Sequence, residues 1–450
     1  MLQTYDPHPI RIELRQRLQD MLAERGWKRK HLAAATGLEP VTISNLLNNK
    51  QALQLYQLDA ITSAFELPKG FWYKYYVAEC CNEAGRLRPG KIGRFVLRCL
   101  KLDKHVVISH LLQILLEDED VQRIMNILLD IAETIYHSSL RPLALPYYDR
   151  VIDLETKRGE RLAICYFHRF LIVREQNFRR LGVEALHRLV EYLHLLPEHY
   201  QAEDDRGRIV ESNLRLEAYQ EVLAYYQLRG NWPKLKRYAE ELEALGLEKG
   251  KDEYLGEALL NKATAEREMG QKEEALTSLT RCAEISPAYA RLAEGGTLAT
   301  LVRNGQIEYV DQYREWCQTD EELFTMLPLG IWAYLHLDML DQAKLLLTEF
   351  DKKAETMCQS ETFAWSRDCI RFLQARATYY FRTRELDLAM QDTASLLHFA
   401  KRLGDVEVLT KHSEYMLRML SQVSQTSECI PETISACPSV LQEKGTRYSN

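Results

Sequence analysis

The chain has 450 residues, which excludes one ordinary globular core and predicts several domains or an extended repeat array. Hydrophobic residues make up 46% of it, enough to bury a core, but no uninterrupted apolar run approaches the roughly 18 residues that cross a bilayer. The net charge of −7 hides an asymmetry: residues 1–104 hold 17 Lys and Arg against 10 Asp and Glu, and the remainder holds 41 against 55.

This charge asymmetry predicts a head that binds a polyanion and a body with another role. The first ten residues, MLQTYDPHPI, show no basic-plus-apolar leader. The ten cysteines are scattered through apolar helical patterns without a CxxC pair, as expected for small core residues with free thiols in a reducing compartment. We therefore expect a soluble, cytoplasmic protein that does not act at a membrane.

Four short helices are predicted within residues 11–67, because apolar residues recur there at spacings of three and four. Gly37 lies at the turn between the second and third helices, where positive φ is needed. Pro40 is tolerated only at a helix start, so the third helix begins there. The four apolar stripes are Leu14, Leu18, Met21 and Leu22; Leu32 and Ala33; Ile43, Leu46 and Leu47; and Leu55, Leu58 and Ile61.

The run WKRKHLAAATGLEPVTISNLLNNK (27–50), followed by LDAITSAFEL, resembles the lambda-repressor-like helix-turn-helix family, also called the XRE family. In that family the third helix enters the major groove of DNA. The resemblance implies base-edge positions at Pro40, Val41, Thr42 and Asn45, where Asn can pair bidentately with adenine and Thr can meet a thymine methyl. It also implies phosphate contacts from Lys28, Arg29 and Lys30.

One departure from that family concerns Glu39, which stands where Ser or another good helix cap is usual. A carboxylate at the groove-facing helix start repels phosphate unless it accepts a hydrogen bond from a cytosine amino group. The alternative is a helix-turn-helix shape that serves only as a protein-contact module. The basic cluster beside the turn favours DNA.

A second basic run, GRLRPGKIGRFVLRCLKLDK, spans residues 85–104. Its first seven residues are one short of a P-loop, but Ile92 replaces the Ser or Thr that holds magnesium, so nucleotide binding is rejected. We predict residues 1–70 as the DNA-binding domain and 71–104 as a basic helical linker. The linker either adds non-specific phosphate attraction or is simply a solvated surface.

From about residue 105 to 420 a pair of amphipathic helices joined by a brief turn recurs, and the turns can be aligned as RGNWPKL (229–235), MGQKEEA (269–275), NGQIEYV (304–310), LDMLDQA (337–343) and TRELDLA (383–389). Gly270, Ala275, Leu279 and Pro287 fall where a tetratricopeptide repeat has its turn glycine, small contact, bulky contact and terminal proline. We predict an all-α chain with a right-handed superhelix of degenerate tetratricopeptide hairpins over 105–420. The alternative is a single irregular helical bundle. Residues 421–450 lose the periodicity and are predicted as a disordered tail.

A helix-turn-helix joined to degenerate tetratricopeptide repeats resembles the peptide-sensing regulators of Gram-positive bacteria and their phages, the Rap, Npr, Plc, Prg and arbitrium-receptor group. The resemblance implies a homodimer on a palindromic operator and a short signalling oligopeptide on the concave face, clamped by asparagine carboxamides. Candidate peptide contacts are Asn213, Tyr226, Asn261, Arg303, Trp332 and Tyr379. For each of them, an interior aromatic or a solvated polar residue is the alternative.

Catalysis finds little support in the sequence. His105 and His110, like His194 and His199, are five residues apart, which puts each pair on different helix faces, and no GxSxG motif is present. We expect no enzyme activity, no metal and no cofactor. Two alternatives are an interaction scaffold for a response regulator, with or without phosphatase action, and a constitutive repressor whose repeats only dimerise.

Overall fold

The computed structural model describes residues 5–203, 207–359 and 363–426. Contacts between Cα atoms divide the chain into two compact units, residues 1–222 and 223–450. The helices that begin in the first unit are α1 (Pro7–Glu24), α2 (Arg29–Thr36), α3 (Pro40–Leu47), α4 (Leu55–Ala64), α5 (Tyr73–Glu79), α6 (Ile92–Lys101), α7 (His105–Leu116), α8 (Val121–Tyr136), α9 (Leu145–Leu154), α10 (Glu160–Gln176), α11 (Leu181–Val190) and α12 (Leu214–Arg229).

The remaining helices belong to the second unit: α13 (Trp232–Lys249), α14 (Asp252–Glu268), α15 (Lys272–Ala283), α16 (Pro287–Arg303), α17 (Val310–Trp316), α18 (Asp320–His336), α19 (Leu340–Gln359), α20 (Ser366–Arg382), α21 (Leu386–Leu403) and α22 (Val406–Thr426). Short 3-10 helices occur at Arg141–Ala144, Leu193–Leu195, Ile307–Tyr309 and Phe363–Trp365.

The four helices predicted within residues 11–67 are confirmed as α1 to α4. Gly37 adopts the left-handed conformation with φ of 69°, and Pro40 is the first residue of α3. Most of the apolar stripes are buried, with Leu14, Leu32 and Leu58 at 0% exposure. The turn glycine and the helix-start proline therefore act locally as the sequence predicts.

The core of the first unit runs without a break from the head into the following helices. Leu14 of α1, Phe95 of α6 and Ile131 of α8 belong to one buried hydrophobic cluster that extends to Ile172. Residues 71–104, predicted as a linker, supply α5 and α6 to this cluster, and the Phe95 ring packs against Tyr73 and Tyr76 at 5.3 and 4.9 Å. The head helices thus share their core with the helices that follow.

A β-hairpin in the first unit corrects the prediction of an all-α chain. Strand β1 (Tyr200–Glu203) pairs antiparallel with β2 (Ile209–Ser212), with Tyr200 opposite Ser212. The hairpin is attached to the helices by Arg94 of α6, which pairs with Glu203, and by Glu133 of α8, which accepts a hydrogen bond from Tyr200. Four-residue strands without apolar alternation carry almost no sequence signal, so the described residues are mostly, not wholly, helical.

The second unit confirms the predicted turns. Each of the five aligned segments lies between the end of one helix and the start of the next: α12 and α13, α14 and α15, α16 and α17, α18 and α19, and α20 and α21. Gly270 has φ of 78°, and Ala275 and Leu279 are buried. Pro287 is the first residue of α16.

Helices of the second unit pack mainly on near neighbours in the sequence. α14 contacts α13, α15 and α16, and α20 contacts α18, α19 and α21. Gly256 of α14 allows one such close crossing, because a Cβ there would lie 2.1 Å from the Tyr289 ring. This neighbour-on-neighbour packing is typical of helical repeats. The tetratricopeptide identity and the right-handed superhelix stay predictions.

The end of the described chain is helical. α22 continues to Thr426, so the predicted tail, 421–450, overlaps its last residues. The rest of that tail lies outside the described residues.

Candidate functional site

The α2–turn–α3 segment presents one helix face to solvent. Ile43, Leu46 and Leu47 anchor α3 in the core at 1 to 3% exposure. On the other side Pro40 is exposed and Val41 is 67% exposed. Thr42 and Asn45 are half-buried on α3. The four predicted base-edge residues therefore lie on α3 with at least part of each side chain accessible.

Arg29 connects the two helices of this segment. Its Nη1 donates to Ser44 Oγ at 2.8 Å and its Nη2 donates to Asn48 Oδ1 at 3.1 Å. Arg29 was predicted as a phosphate contact, and the structure adds a second task, holding α3 at its angle to α2. A guanidinium has five N–H donors, so both tasks are compatible.

The charges at the start of α2 and α3 differ in sign. Lys28, Arg29 and Lys30 are all exposed around the first turn of α2. Glu39 precedes α3 as its N-cap residue and makes no side-chain capping hydrogen bond. Its carboxylate is exposed, as the sequence predicts for a poor cap at this position.

A cavity of about 830 Å³ lies within the second unit. It is bordered by the ends of α12, α14 and α16, by the start of α13, by the second half of α18, by the first half of α20 and by the start of α22. This volume is within the range of ligand sites. The residues that border it are mixed in character, with two tryptophans, Trp232 and Trp332, among several charged groups.

The charged groups of this cavity are mainly cationic. Positive side chains on its wall are Arg229, Arg303, Arg367, Arg371 and Lys411, and negative ones are Glu268 and Asp405. Arg367 is fully engaged, since it pairs with Asp405 at 2.6 Å and donates to the Leu228 carbonyl at 2.6 Å. Arg229 donates to the Leu403 carbonyl at 3.0 Å. These bonds join the end of α12 to α20 and to the end of α21, and they join α20 to the residue that precedes α22.

Glu268 is the central anion of this cluster. Its carboxylate lies 3.0 Å from both Arg303 and Arg371, and its side chain is 5% exposed. Burial acts to raise the pKa of Glu268, but the charges of Arg371, Arg267 and Arg303 outweigh burial and lower that pKa. Burial also lowers the pKa of Arg303, with help from the charges of Arg371 and Arg267 and against that of Glu268. The cluster therefore carries a net positive charge, with several arginine side chains packed around one carboxylate.

Of the six predicted peptide contacts, the structure brings Arg303 and Trp332 together on the wall of this cavity. Tyr226 and Tyr379 are each 4% exposed, and the Tyr226 ring stacks on Tyr238 at 5.3 Å. This burial favours the alternative reading of both tyrosines as interior aromatics.

The two predicted asparagine clamps lie elsewhere. Asn213 was expected on a first helix, and this is corrected: it precedes α12 and its Oδ1 accepts from the Leu216 backbone N–H at 3.1 Å, as a helix cap does. Asn261 is on α14, but its Nδ2 donates to the Glu257 carbonyl of the same helix at 2.9 Å.

Several cavity residues were missed by sequence reasoning, namely Arg229, Trp232, Glu268, Arg367, Arg371 and Asp405. A signal for four wall residues was present. The last residue of the helix before each of the first four aligned turns is titratable: Arg229, Glu268, Arg303 and His336. A repeated polar residue at the end of successive first helices indicates a shared polar surface.

Within the described ranges, no group of three or more His, Cys, Asp or Glu side chains is arranged to hold a metal ion. None of the described helices combines the length and apolar character of a membrane span. The eight described cysteines are free thiols, most of them buried, as predicted.

Residues 17–68 match the family model of the Cro/C1-type HTH DNA-binding domain. The match covers α2, α3 and α4 and the last eight of the 18 residues of α1. No curated protein matches the chain. The N-terminal head is therefore a DNA-binding helix-turn-helix domain, with α3 as the helix that the family inserts into the major groove.

Proposed function

We propose that this chain is a transcription regulator that binds a two-fold symmetric operator as a homodimer, and that a short signalling peptide in its second unit controls that binding. The observation that carries the proposal is the presence, in one chain, of a Cro/C1-type head and of a large, charged cavity in a helical array. The proposed action is binding without catalysis.

The exposed face of α3 supports the DNA-binding half of the proposal. Val41 is apolar but two-thirds exposed, so its contact with water costs free energy. Contact with a thymine methyl on DNA would remove this surface from water and recover that free energy. Lys28 and Lys30 flank the same segment and are exposed, so they can neutralise phosphates.

The cavity supports the sensing half. A ligand can shift an equilibrium only if it binds one arrangement better than another. Helices α12 to α22 offer such an element, because the end of α12 is joined to α20 and α21 by the polar contacts of Arg367 and Arg229. A peptide that rearranges these contacts would alter the spacing of two heads in a dimer.

DNA binding is tested with the double variant Lys28→Glu/Lys30→Glu and the matched control Lys344→Glu on the exposed face of α19. Operators are first selected from random duplexes with the wild-type protein, and affinities are then measured by fluorescence anisotropy at several salt concentrations. We expect weaker binding to every sequence and a slope of log K against log salt that is smaller by about two in the double variant. An unchanged slope would mean that the head is not the contact.

Peptide control is tested on the selected operator with pools of synthetic hexapeptides. We expect at least one pool to change operator affinity by about fivefold or more, a typical coupling between two sites. If no pool changes it, the proposal of a constitutive repressor replaces this one. If Lys28→Glu/Lys30→Glu leaves regulation in cells intact, the scaffold alternative replaces it. Point variants are preferred to deletion of the head, because that head shares its core with α5 to α10.

A further inference from the structure

The cavity of the second unit has a charge opposite to that of its surroundings. Its wall carries five cationic residues and two carboxylates, whereas the chain after residue 104 has 41 Lys and Arg against 55 Asp and Glu. Partly desolvated charges of one sign repel each other, and an anion placed among them lowers that free energy. The positive charge of the wall therefore predicts that the ligand carries a negative charge.

Glu268 neutralises part of the positive charge of the cavity wall. One of its oxygens lies 3.0 Å from Arg303 Nη2 and the other lies 3.0 Å from Arg371 Nη2, so a single carboxylate bridges two guanidinium groups. Each guanidinium has more donors than Glu268 can accept from. One positive charge of this trio stays uncompensated within it.

Arg303 and Arg371 are also the arginines that an incoming group can reach. Their side chains are 36% and 20% exposed, whereas Arg367 is 8% exposed and already bonded to Asp405 and Leu228. Arg371 lies over the Trp232 ring, with Cζ 5.5 Å from its centroid. Stacking of this kind holds a guanidinium plane in a fixed direction.

We infer that Arg303 and Arg371 bind a carboxylate of the ligand, and that Glu268 is the internal carboxylate with which that ligand group competes. The inference rests on the proposed function, which supplies a peptide as the ligand. A carboxylate matches the planar fork of arginine, and it can come from the peptide C terminus or from an Asp or Glu side chain. Trp232 and Trp332 then offer apolar surface to the neighbouring peptide residues.

The crowding of charge around this trio agrees with such an exchange. Burial and the charges of Arg371 and Arg267 lower the pKa of Arg303 even though Glu268 is in contact with it. Asp368 lies beside Arg371 at 3.7 Å, and burial raises the pKa of Asp368 against the pull of Arg371 and Arg367. A second carboxylate from outside would meet arginines that are still short of negative charge.

The test uses the full chain and isothermal titration with three hexapeptide pools. The first pool lacks Asp and Glu and has a free C terminus, the second is the same pool with an amidated C terminus, and the third is amidated but contains Asp and Glu. If the C terminus supplies the carboxylate, we expect the second pool to bind about tenfold more weakly than the first. If a side chain supplies the carboxylate, we expect the second pool to bind about tenfold more weakly than the third. Equal affinities for all three pools would overturn the inference.

Glu268→Gln separates competition from a structural role. The amide keeps the shape of the side chain but removes the competing charge, so we expect the preferred pool to bind about tenfold more tightly. A merely structural Glu268 predicts unchanged or weaker binding. Arg303→Lys and Arg371→Lys keep the charge but lose the fork, and each should weaken the preferred pool by about tenfold with the melting temperature retained. The matched control is Arg237→Gln/Glu241→Gln, an exposed pair on α13, which should leave affinity unchanged.

The two proposals fail in different ways. Pools that bind without preference for a carboxylate overturn this inference. If these pools still change the affinity of the protein for its operator, the proposed function is kept. Pools that leave operator affinity unchanged overturn the proposed function, and the affinity difference between them still decides the carboxylate site. A mixture of ribonucleoside triphosphates that displaces the preferred pool would identify a phosphate site and overturn the carboxylate.

Discussion

Replacing Glu133 by alanine probes the polar cluster that holds the β-hairpin to the first unit. Glu133 Oε1 accepts hydrogen bonds from Tyr148 at 2.6 Å and from His168 Nδ1 at 2.9 Å. Its Oε2 accepts from Tyr200 of β1, and the whole side chain is 14% exposed. The variant removes all three bonds, so the Tyr200 hydroxyl loses this acceptor, and Tyr148 and His168 are left with their contact to each other, at 3.0 Å between Oη and Nδ1.

The expected loss follows from these contacts. Each net hydrogen bond to a charged group contributes about 1.5 to 3 kcal/mol, and breaking a buried ionic cluster costs about 3 to 5 kcal/mol. For a unit of about 200 residues, a loss of about 3 to 5 kcal/mol lowers the melting temperature by about 6 to 20 °C. Circular dichroism melting at pH 7 measures it. The control Glu184→Ala removes a 64% exposed carboxylate of α11 and should change the melting temperature by less than about 2 °C.

The stability difference between wild type and Glu133→Ala should depend on pH in a defined direction. Burial acts to raise the pKa of Glu133, but the charge of His168 and the polar contacts of His137, His168 and Tyr148 outweigh burial and hold that pKa well below its usual value of 4.5. A depressed carboxyl pKa stabilises the fold above the unfolded pKa, and this contribution is lost as pH falls. The gap between wild type and Glu133→Ala should therefore be full at pH 7 and shrink below about pH 4.5. A gap that is absent at pH 7, or that grows on acidification, would refute the reasoning.

Three further predictions concern other parts of the molecule. Arg29→Ala should lower operator affinity about tenfold and change the free energy of unfolding by less than about 1 kcal/mol, because the exposed guanidinium holds α3 through hydrogen bonds to two side chains. Fluorescence anisotropy measures the affinity and thermal melting measures the stability. An unchanged affinity would count against this role of Arg29. Gly256→Ala should destabilise the protein by about 1 to 3 kcal/mol, since the new Cβ would lie 2.1 Å from the Tyr289 ring, whereas a change below 0.5 kcal/mol in urea unfolding would contradict the close crossing. Burial raises the pKa of the Cys282 thiol to about 11, so iodoacetamide at pH 8 should label it only after unfolding, as peptide mass spectrometry can check.

The head of this protein could be predicted from its sequence almost element by element. Gly37 and Pro40 act through their own backbone conformations, which depend on no distant residue. The apolar stripes of α1 to α4 repeat at the helical period, and that period alone decides which face is buried. The same local logic located the five turns of the second unit, and it indicates Arg229, Glu268 and Arg303 as the final residues of successive helices.

Which of these residues meet was decided only by the tertiary structure. Glu268 lies between Arg303 and Arg371, which are separated by 35 and 103 residues from it in the chain, and Arg367 reaches back to Leu228. Helical periodicity cannot indicate such contacts, because they depend on how far the packed helices turn from α12 to α22. It also could not separate Tyr226, which faces the interior, from Trp332, which faces the cavity, since both are aromatic residues on amphipathic helices.

The sequence by itself therefore determined the local conformations: the helices, their turns and the basic helix-turn-helix head. The tertiary structure decided the β-hairpin, the continuous core between the head and α10, and the bridge that Glu268 forms between Arg303 and Arg371. The physical reason is range, because backbone propensity and apolar period act over a few residues, whereas these features need side chains from distant helices to meet.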